Sequence, residues 1–172
     1  MNEIDVAMLV LRVWLGIVML AHGVNHARSQ EGTAQWLEKK GFKSPKLNAR
    51  LSALSEIAVG LGLIVGLLTS VAAAALVATM LLAFWSVHRF AGFFVFYRPD
   101  EGYEYVATLA VASLALAMIG PGSASLDSAI GIDTNLDGFV GAGIIALGLV
   151  AGVGQAAVFW RKPTSEQDPG GE

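Results

Sequence analysis

The chain has 172 residues, of which 55% are hydrophobic and only 15% carry a charge. Soluble domains are about a quarter charged, so this composition argues against a soluble globule. The net charge of -3 disfavours a nucleic-acid partner, and the absence of cysteine excludes disulfides, thiolate nucleophiles and cysteine-bound metal clusters.

Five apolar stretches follow one another along the chain, at 6–23, 51–68, 71–87, 105–119 and 139–160. At about 1.5 Å per helical residue, their lengths match a hydrocarbon core of about 30 Å. They predict an all-α integral membrane protein, an antiparallel bundle of five transmembrane helices. The acidic start of the chain lacks the basic segment of a signal peptide, so we expect the first helix to be a retained anchor.

The segments outside these stretches also carry structural signals. Residues 33–40 are amphipathic and predict a short helix that lies on the membrane surface. Ser44 followed by Pro45 is typical of a helix N-cap, so the second long helix should begin before the bilayer. The tail 164–172 is polar and rich in Gly, and we expect it to be disordered.

Small residues recur at helical spacing within the apolar stretches, which predicts close packing between helices in lipid. The glycines of this set are Gly16, Gly60, Gly62, Gly66, Gly141, Gly143 and Gly148.

The distribution of basic residues predicts the orientation. Apart from Arg12, they follow the first, third and fifth apolar stretches, within 28–50, at Arg89 and Arg98, and at 161–162. The positive-inside rule places these segments in the cytoplasm. We therefore expect the N-terminus outside and the C-terminus inside.

Ionisable groups within a membrane are costly unless they are paired or hydrated, so they indicate a candidate site. The alternating direction of the helices places most of them in the cytoplasmic half, namely His22, His26, Glu56, His88, Arg89 and Glu104. Arg12 lies deeper, and its guanidinium is predicted to reach down to the Glu56 carboxylate. The alternatives are a structural Arg12–Glu56 ion pair and a polar pocket for a ligand headgroup.

Several of these groups also have purely structural interpretations. His22 and His26 lie four residues apart and, with Glu56 or Glu104, can in principle hold a metal, but the ligand set is loose and we predict none. The His88–Arg89 pair can simply end a helix, and Glu104 can be an ordinary acidic residue at a helix start.

One motif in the loop before the last stretch matches the first half of a calcium-binding loop. Residues 133–138 read DTNLDG, but position twelve is Ile144, where calcium needs a bidentate Glu. The alternative is a turn in which Asp137 caps the last helix.

Several sequence segments together resemble the DoxX family of membrane proteins. They are LRVWLGIVMLAHGVNH (11–26), SEIAVGLGLIVGLLT (55–69), His88 with the following GFF, and GYEY (102–105) through GPGSASLD (120–127). The resemblance covers roughly residues 6–132 and implies a DoxX-like four-helix core over 1–132, with a basic loop at 24–50. Residues 133–162, with the fifth helix, depart from the family pattern, and the polar tail is 163–172.

The resemblance also implies a bacterial inner-membrane protein associated with redox complexes. The family is named for a subunit linked to thiosulfate:quinone oxidoreductase, and actinobacterial relatives are associated with complexes that contain a sulfurtransferase and superoxide dismutase. The candidate site residues are those at the family's polar positions, Arg12, His22, Glu56, His88 and Glu104, with His26, Arg89 and Tyr103 as additional candidates.

Two functions from different classes fit these observations, and whether the chain is itself an enzyme stays open. In the first, it is a quinone-interacting subunit of an oxidoreductase complex, since histidine and a desolvated glutamate can exchange protons near neutral pH. In the second, it is a non-enzymatic anchor or scaffold that recruits redox or detoxification partners through its basic loop. We favour the first, with quinone as the expected ligand and the bilayer and redox proteins as expected partners.

Overall fold

The structure is a computed structural model that describes residues 1–163, and over these residues the secondary structure is helical with no β-strand. The five long helices are α1 (Glu3–Arg28), α3 (Pro45–Val65), α4 (Thr69–Ser86), α5 (Glu104–Ile119) and α8 (Gly138–Phe159). The shorter helices are α2 (Gln30–Lys39), α6 (Leu126–Ala129) and α7 (Asp133–Leu136). A single 3-10 turn follows α4 at His88–Phe90. The tail expected to be disordered lies outside the described residues.

The predicted helical membrane bundle is confirmed. Helices α1, α3, α4 and α8, with 26, 21, 18 and 22 residues, are long and apolar enough to cross a membrane. Helix α5 is a shorter apolar helix of 16 residues. The amphipathic segment forms α2, which begins three residues earlier than expected, at Gln30 rather than Thr33. The chain is thus a multi-pass helical membrane protein.

The long helices form two groups, α1 with α3 and α4 with α5 and α8, which meet where α4 contacts α3. Helix α1 packs along α3, whereas α4 packs against α3, α5 and α8, and α8 also contacts α5. The main apolar core lies where α1, α3, α4 and α5 meet, and includes the buried side chains of Leu15, Met19, Leu63, Leu76 and Leu116.

Glycines set how closely these helices approach one another. A Cβ atom built on Gly60 of α3 would lie 2.6 Å from the backbone nitrogen of Leu20 in α1. On α8, Gly141 and Gly148 lie directly against backbone carbonyls of α5 and α4. Gly143 has no neighbour within 4 Å of such a Cβ, so this glycine takes no part in the predicted packing.

The bundle has two ends that differ in charge. At the end that we call the basic end, the α2–α3 linker, the loop before α5 and the end of α8 are joined by hydrogen bonds. Lys40 Nζ donates to both carboxylate oxygens of Asp100 at 2.7 Å, and Trp160 Nε1 donates to the Lys40 carbonyl at 2.8 Å. At the opposite end, the Ser123 amide donates to Asp5 Oδ1 at 2.8 Å. The described termini therefore lie at opposite ends of the bundle.

Two predicted helix caps are wrong in detail. Helix α3 does begin at Pro45, but Ser44 is left-handed (φ 51°) and its side chain makes no capping hydrogen bond. A capping side chain needs an extended backbone to reach the next free amides, which Ser44 lacks. Asp137 occupies the N-cap position of α8 without a side-chain capping bond, and the residues before it form the helical turn α7.

Candidate functional site

A cavity of about 330 Å³ lies inside the bundle near the basic end. We call it the basic-end cavity. Helices α1, α3, α4 and α5 form its walls, and α2 with the following linker closes it on one side. Its polar lining includes His22, His26, Asn48, Ser52, Glu56 and His88, and its apolar lining includes Trp36, Leu37, Phe42, Met80, Leu82 and Val106.

A directed hydrogen-bond chain lies in the wall formed by α1 and α3. Ser52 Oγ donates to Glu56 Oε1 at 2.7 Å, and His26 Nδ1 lies 3.2 Å from the same Ser52 oxygen. Since the Ser52 proton is used toward Glu56, the His26 Nδ1 nitrogen donates to Ser52 in this chain. His26 Nδ1 also lies 3.1 Å from Glu56 Oε2. The arrangement links an imidazole, a hydroxyl and a carboxylate in proton-exchange contact.

His88 borders the cavity from the turn after α4. Its Nδ1 nitrogen lies 2.7 Å from the backbone carbonyl of Glu101, which can only accept a hydrogen bond. Nδ1 therefore carries a proton, and in the neutral ring Nε2 is the basic nitrogen. The loop before α5 thus sets the orientation of this imidazole.

The rings of His22 and Tyr105 lie at the gap between α1 and α5. Both residues are exposed, and both line the cavity. Their ring centroids are 6.4 Å apart, and the rings of His22 and His26 are 6.3 Å apart. Because α1 and α5 pack only sparsely on each other, this gap is a lateral opening toward the surroundings of the bundle.

Two buried oxygen atoms of the cavity wall accept no hydrogen bond from the described residues. They are Glu56 Oε2 and Asn48 Oδ1, and both side chains belong to residues that are only 4% exposed. Glu56 Oε2 nevertheless lies 3.1 Å from His26 Nδ1, so this imidazole is its ion-pairing partner. Buried acceptors without partners are rare in folded proteins.

The predicted Arg12–Glu56 contact is wrong. Arg12 Nη1 donates to the carbonyls of Leu63 and Ile64 at 2.8 and 2.7 Å, and Nη2 donates to that of Ala124 at 2.7 Å. The reason is the register of α1 on α3, which places Arg12 at the far end of α3. A helical side chain also leans toward the N-terminus of its own helix, so that of Arg12 points away from Glu56.

The opposite end of the bundle holds its own buried polar cluster. Arg12 supplies donors to carbonyls at the C-terminal end of α3, where they have no partner within the helix. Asp127 Oδ1 and Oδ2 accept from the amides of Leu68 and Thr69 at the start of α4, at 2.6 and 2.8 Å. The two side chains thus hold the α3–α4 turn from its two sides, which is a structural role.

Three other predicted site residues also lie outside the cavity lining. Glu104 Oε2 accepts from the amide of Val95 in the neighbouring loop, at 3.2 Å. The Arg89 guanidinium lies over the rings of Trp85, Phe90 and Trp160, at 4.1, 4.5 and 5.4 Å. The Tyr103 ring packs edge-on against Phe84 and Phe93. Each residue lies at the predicted depth, but on a side of its helix or loop that does not border the cavity.

Sequence reasoning missed several residues that line the cavity, of which Asn48 and Ser52 matter most. A signal for them exists, since Asn48, Ser52 and Glu56 are spaced by four residues and so lie on one face of α3. The loop residue Glu101, which orients His88, had no comparable signal. Within residues 1–163, no group of three or more His, Asp or Glu side chains is arranged to hold a metal ion.

Comparison with known proteins gives one match, to a family. No curated protein and no solved structure matches the chain. The sequence model of the DoxX family matches residues 7–89, from α1 to the turn after α4. The match includes His22, His26, Glu56 and His88 and ends before α5, so the resemblance expected at 102–127 lies beyond it. The match over residues 7–89 supports the identification of the chain as a DoxX family membrane protein.

Proposed function

We propose that the chain is the membrane subunit of a redox complex and binds the headgroup of an isoprenoid quinone in the basic-end cavity. The observation that carries this proposal is the convergence of His26, Glu56 and His88 on one cavity of about 330 Å³. Small-molecule sites are typically concave, mostly apolar and equipped with a few converging polar groups.

The shape and lining of the cavity suit a quinone ring. Trp36, Phe42, Met80 and Val106 offer apolar surface for a flat ring, whereas the polar groups lie on the α1–α3 wall and beside His88. The opening at His22 and Tyr105 would let a long apolar tail extend into lipid. A ligand that reaches the cavity from within the bilayer needs such a lateral route.

The chain can move protons but has no electron carrier of its own that the sequence reveals. Reduction of a quinone takes up two protons and two electrons. The His26–Ser52–Glu56 chain and His88 provide groups that can donate and accept protons. The electrons would come from a partner protein, which we place at the basic end because the cavity and the basic loop 24–50 both lie there.

The proposal is tested by the quinone content of the purified protein. The wild-type chain, extracted in mild detergent, should retain isoprenoid quinone, measured by mass spectrometry of a solvent extract. The substitutions Glu56→Gln and His88→Ala should each lower the retained quinone per protein about tenfold, since each removes a polar group that faces the headgroup.

Glu104→Gln is the matched control for this experiment. It changes a carboxylate at the same end of the bundle that lies outside the cavity lining, so quinone retention should stay at the wild-type level. Circular dichroism and thermal unfolding would establish that all variants fold. Wild-type protein without quinone under several detergents, or equal retention by all variants, would overturn the proposal.

We further propose that the basic end faces the cytoplasm of a bacterial cell and that the N-terminus lies outside. Single cysteines placed at Asn2 and Lys162 in this cysteine-free chain should report the orientation through a membrane-impermeant thiol reagent. We expect Asn2→Cys to be labelled in intact spheroplasts and Lys162→Cys only after lysis, since the described termini lie at opposite ends. Labelling of both from one side would contradict the bundle with five transmembrane helices.

A second candidate is a non-enzymatic anchor that recruits redox partners. The observation in its favour is the loop before α5, where Phe93, Phe94, Phe96 and Tyr97 are all exposed beside Arg98. The quinone proposal requires an intact cavity, whereas the anchor proposal does not. An anchor should therefore keep its protein partner when the cavity is altered. Co-purification of a partner with both wild type and Glu56→Gln, without quinone in either, would favour the anchor.

A further inference from the structure

We propose that the outer surface between α4 and α8 binds one anionic phospholipid, with its phosphate on Arg89 and one acyl chain in the adjoining groove. This site shares no lining residue with the basic-end cavity, so the proposal does not depend on the proposed function. It follows from an apolar groove and an unpartnered cation that meet at the basic end of the bundle.

The groove has a volume of about 250 Å³ and lies between α4 and α8. All of its lining side chains are apolar or aromatic, namely Leu81, Trp85, Val153, Ala156, Ala157 and Trp160. Several of them are exposed, including Trp85 and Val153. Both helices are long enough to cross a membrane, so exposed apolar surface between them contacts the hydrocarbon chains of the bilayer.

Arg89 lies at the end of this groove. Its guanidinium carbon is 4.1 Å from the ring centroid of Trp85 and 5.4 Å from that of Trp160, two of the rings that line the groove. Aromatic faces attract a cation, but they leave most of its N–H groups without a hydrogen-bond acceptor.

The Arg89 guanidinium has no anionic partner in the part of the chain that the structure describes. It forms no ion pair with a carboxylate of residues 1–163, and its Nε is buried without a hydrogen-bond partner. The arginine side chains that do make hydrogen bonds are those of Arg12, Arg98 and Arg161. The side chain of Arg89 is half-buried, so part of it stays accessible. A planar guanidinium of this kind matches the geometry of a phosphate group.

The surroundings of Arg89 favour an anionic headgroup over a zwitterionic one. Arg161 and Lys162 directly follow Trp160, and the amide of Lys43 donates to the carbonyl of Phe159 at 2.7 Å. Three further basic residues therefore lie at this end of α8. Each basic residue near a bilayer surface adds attraction for anionic lipid, whereas the cationic group of a zwitterionic headgroup would be repelled.

Native mass spectrometry of the full chain, purified in mild detergent, tests the proposal with two lipids of identical acyl chains. Phosphatidylglycerol should bind about tenfold or more tightly than phosphatidylethanolamine. Arg89→Gln should weaken phosphatidylglycerol binding about tenfold, since it removes charge-assisted hydrogen bonds to the phosphate. Arg28→Gln is the charge-matched control and should leave binding unchanged, because Arg28 is an exposed cation at the same end on α1, which packs mainly on α3.

The contribution of the groove is tested by a second pair of variants. Ala157→Phe fills the groove from an exposed position without a change in charge. It should weaken phosphatidylglycerol binding by at least about fourfold, the equivalent of one methylene group withdrawn from apolar contact. Val158→Phe adds the same ring at the next exposed residue, which does not line the groove, and should have no effect. Inorganic phosphate should not compete, because it has no acyl chain.

Several outcomes would overturn the proposal. Equal binding of the two lipids, or equal losses in Arg89→Gln and Arg28→Gln, would mean that Arg89 does not select the headgroup. Equal effects of Ala157→Phe and Val158→Phe, or displacement of the lipid by inorganic phosphate, would mean that no acyl chain occupies the groove. If Arg89→Gln fails to fold, the comparison of the two lipids on the wild-type chain and the two phenylalanine substitutions still decide the proposal.

Discussion

Substituting Arg12 by methionine is expected to lower the free energy of unfolding by about 3 kcal/mol or more, because three buried carbonyls would each lose a hydrogen bond to a charged group, worth about 1.5–3 kcal/mol. Arg12 is 1% exposed, and its guanidinium donates to the carbonyls of Leu63, Ile64 and Ala124. Asp127, at 2% exposure, would remain buried without a nearby cation. Methionine keeps much of the length and apolar contact of arginine, so the loss reports on the guanidinium.

Unfolding by denaturant in detergent micelles, followed by circular dichroism, measures this loss. Arg28→Met is the matched control, because Arg28 lies at the other end of the same helix and is exposed. We expect the control to change stability by less than about 1 kcal/mol. An equally small change for Arg12→Met would show that the opposite-end cluster does not hold the α3–α4 turn as its geometry implies.

The second large effect is expected from a glycine on α8. In Gly141→Leu, the new side chain would begin in contact with the backbone carbonyl of Ala117, and a backbone cannot move aside as a flexible side chain can. Helix α8 would have to shift away from α5. Overpacking of this kind typically costs about 1–3 kcal/mol and occasionally more, and we expect the upper part of this range.

Gly143→Leu provides a close control two residues along the same helix. A Cβ at Gly143 has nothing within 4 Å, and the residue is exposed on the outer surface of the bundle. Both substitutions gain the same helix propensity, so the difference between them isolates the contact with α5. Thermal unfolding in detergent should show Gly141→Leu well below wild type and Gly143→Leu close to it. Similar values for the two variants would contradict the α5–α8 packing.

The helices could be predicted because each segment that crosses a membrane must be long enough to span its hydrocarbon core. Each stretch long enough to cross a hydrocarbon core must satisfy its backbone hydrogen bonds internally, and a helix does this. The prediction was therefore correct for all five long helices, although the true ends of α1 extend beyond the apolar residues at both termini.

The depth of each polar residue within the bundle could also be predicted, but the direction in which its side chain points around the helix could not. Alternating helices correctly brought His22, His26, Glu56 and His88 to one end, because depth depends only on counting residues along each helix. Glu104 shares this depth but contacts Val95 instead of the cavity. The rotation of a helix about its own axis depends on packing, and a helix that is apolar on most sides leaves little pattern from which to infer it.

The amino-acid sequence alone determined that this chain spans a membrane repeatedly and that most of its intramembrane ionisable groups lie in one half of the bundle, because the cost of charge in lipid depends on composition and position along the chain. Only the tertiary structure decided the partners of those groups. The approach of Gly16 to Gly60 set the register of α1 on α3. That register sent Arg12 to the end of α3 and left Glu56 facing His26 and a cavity, since contacts between helices depend on how backbones fit together across space.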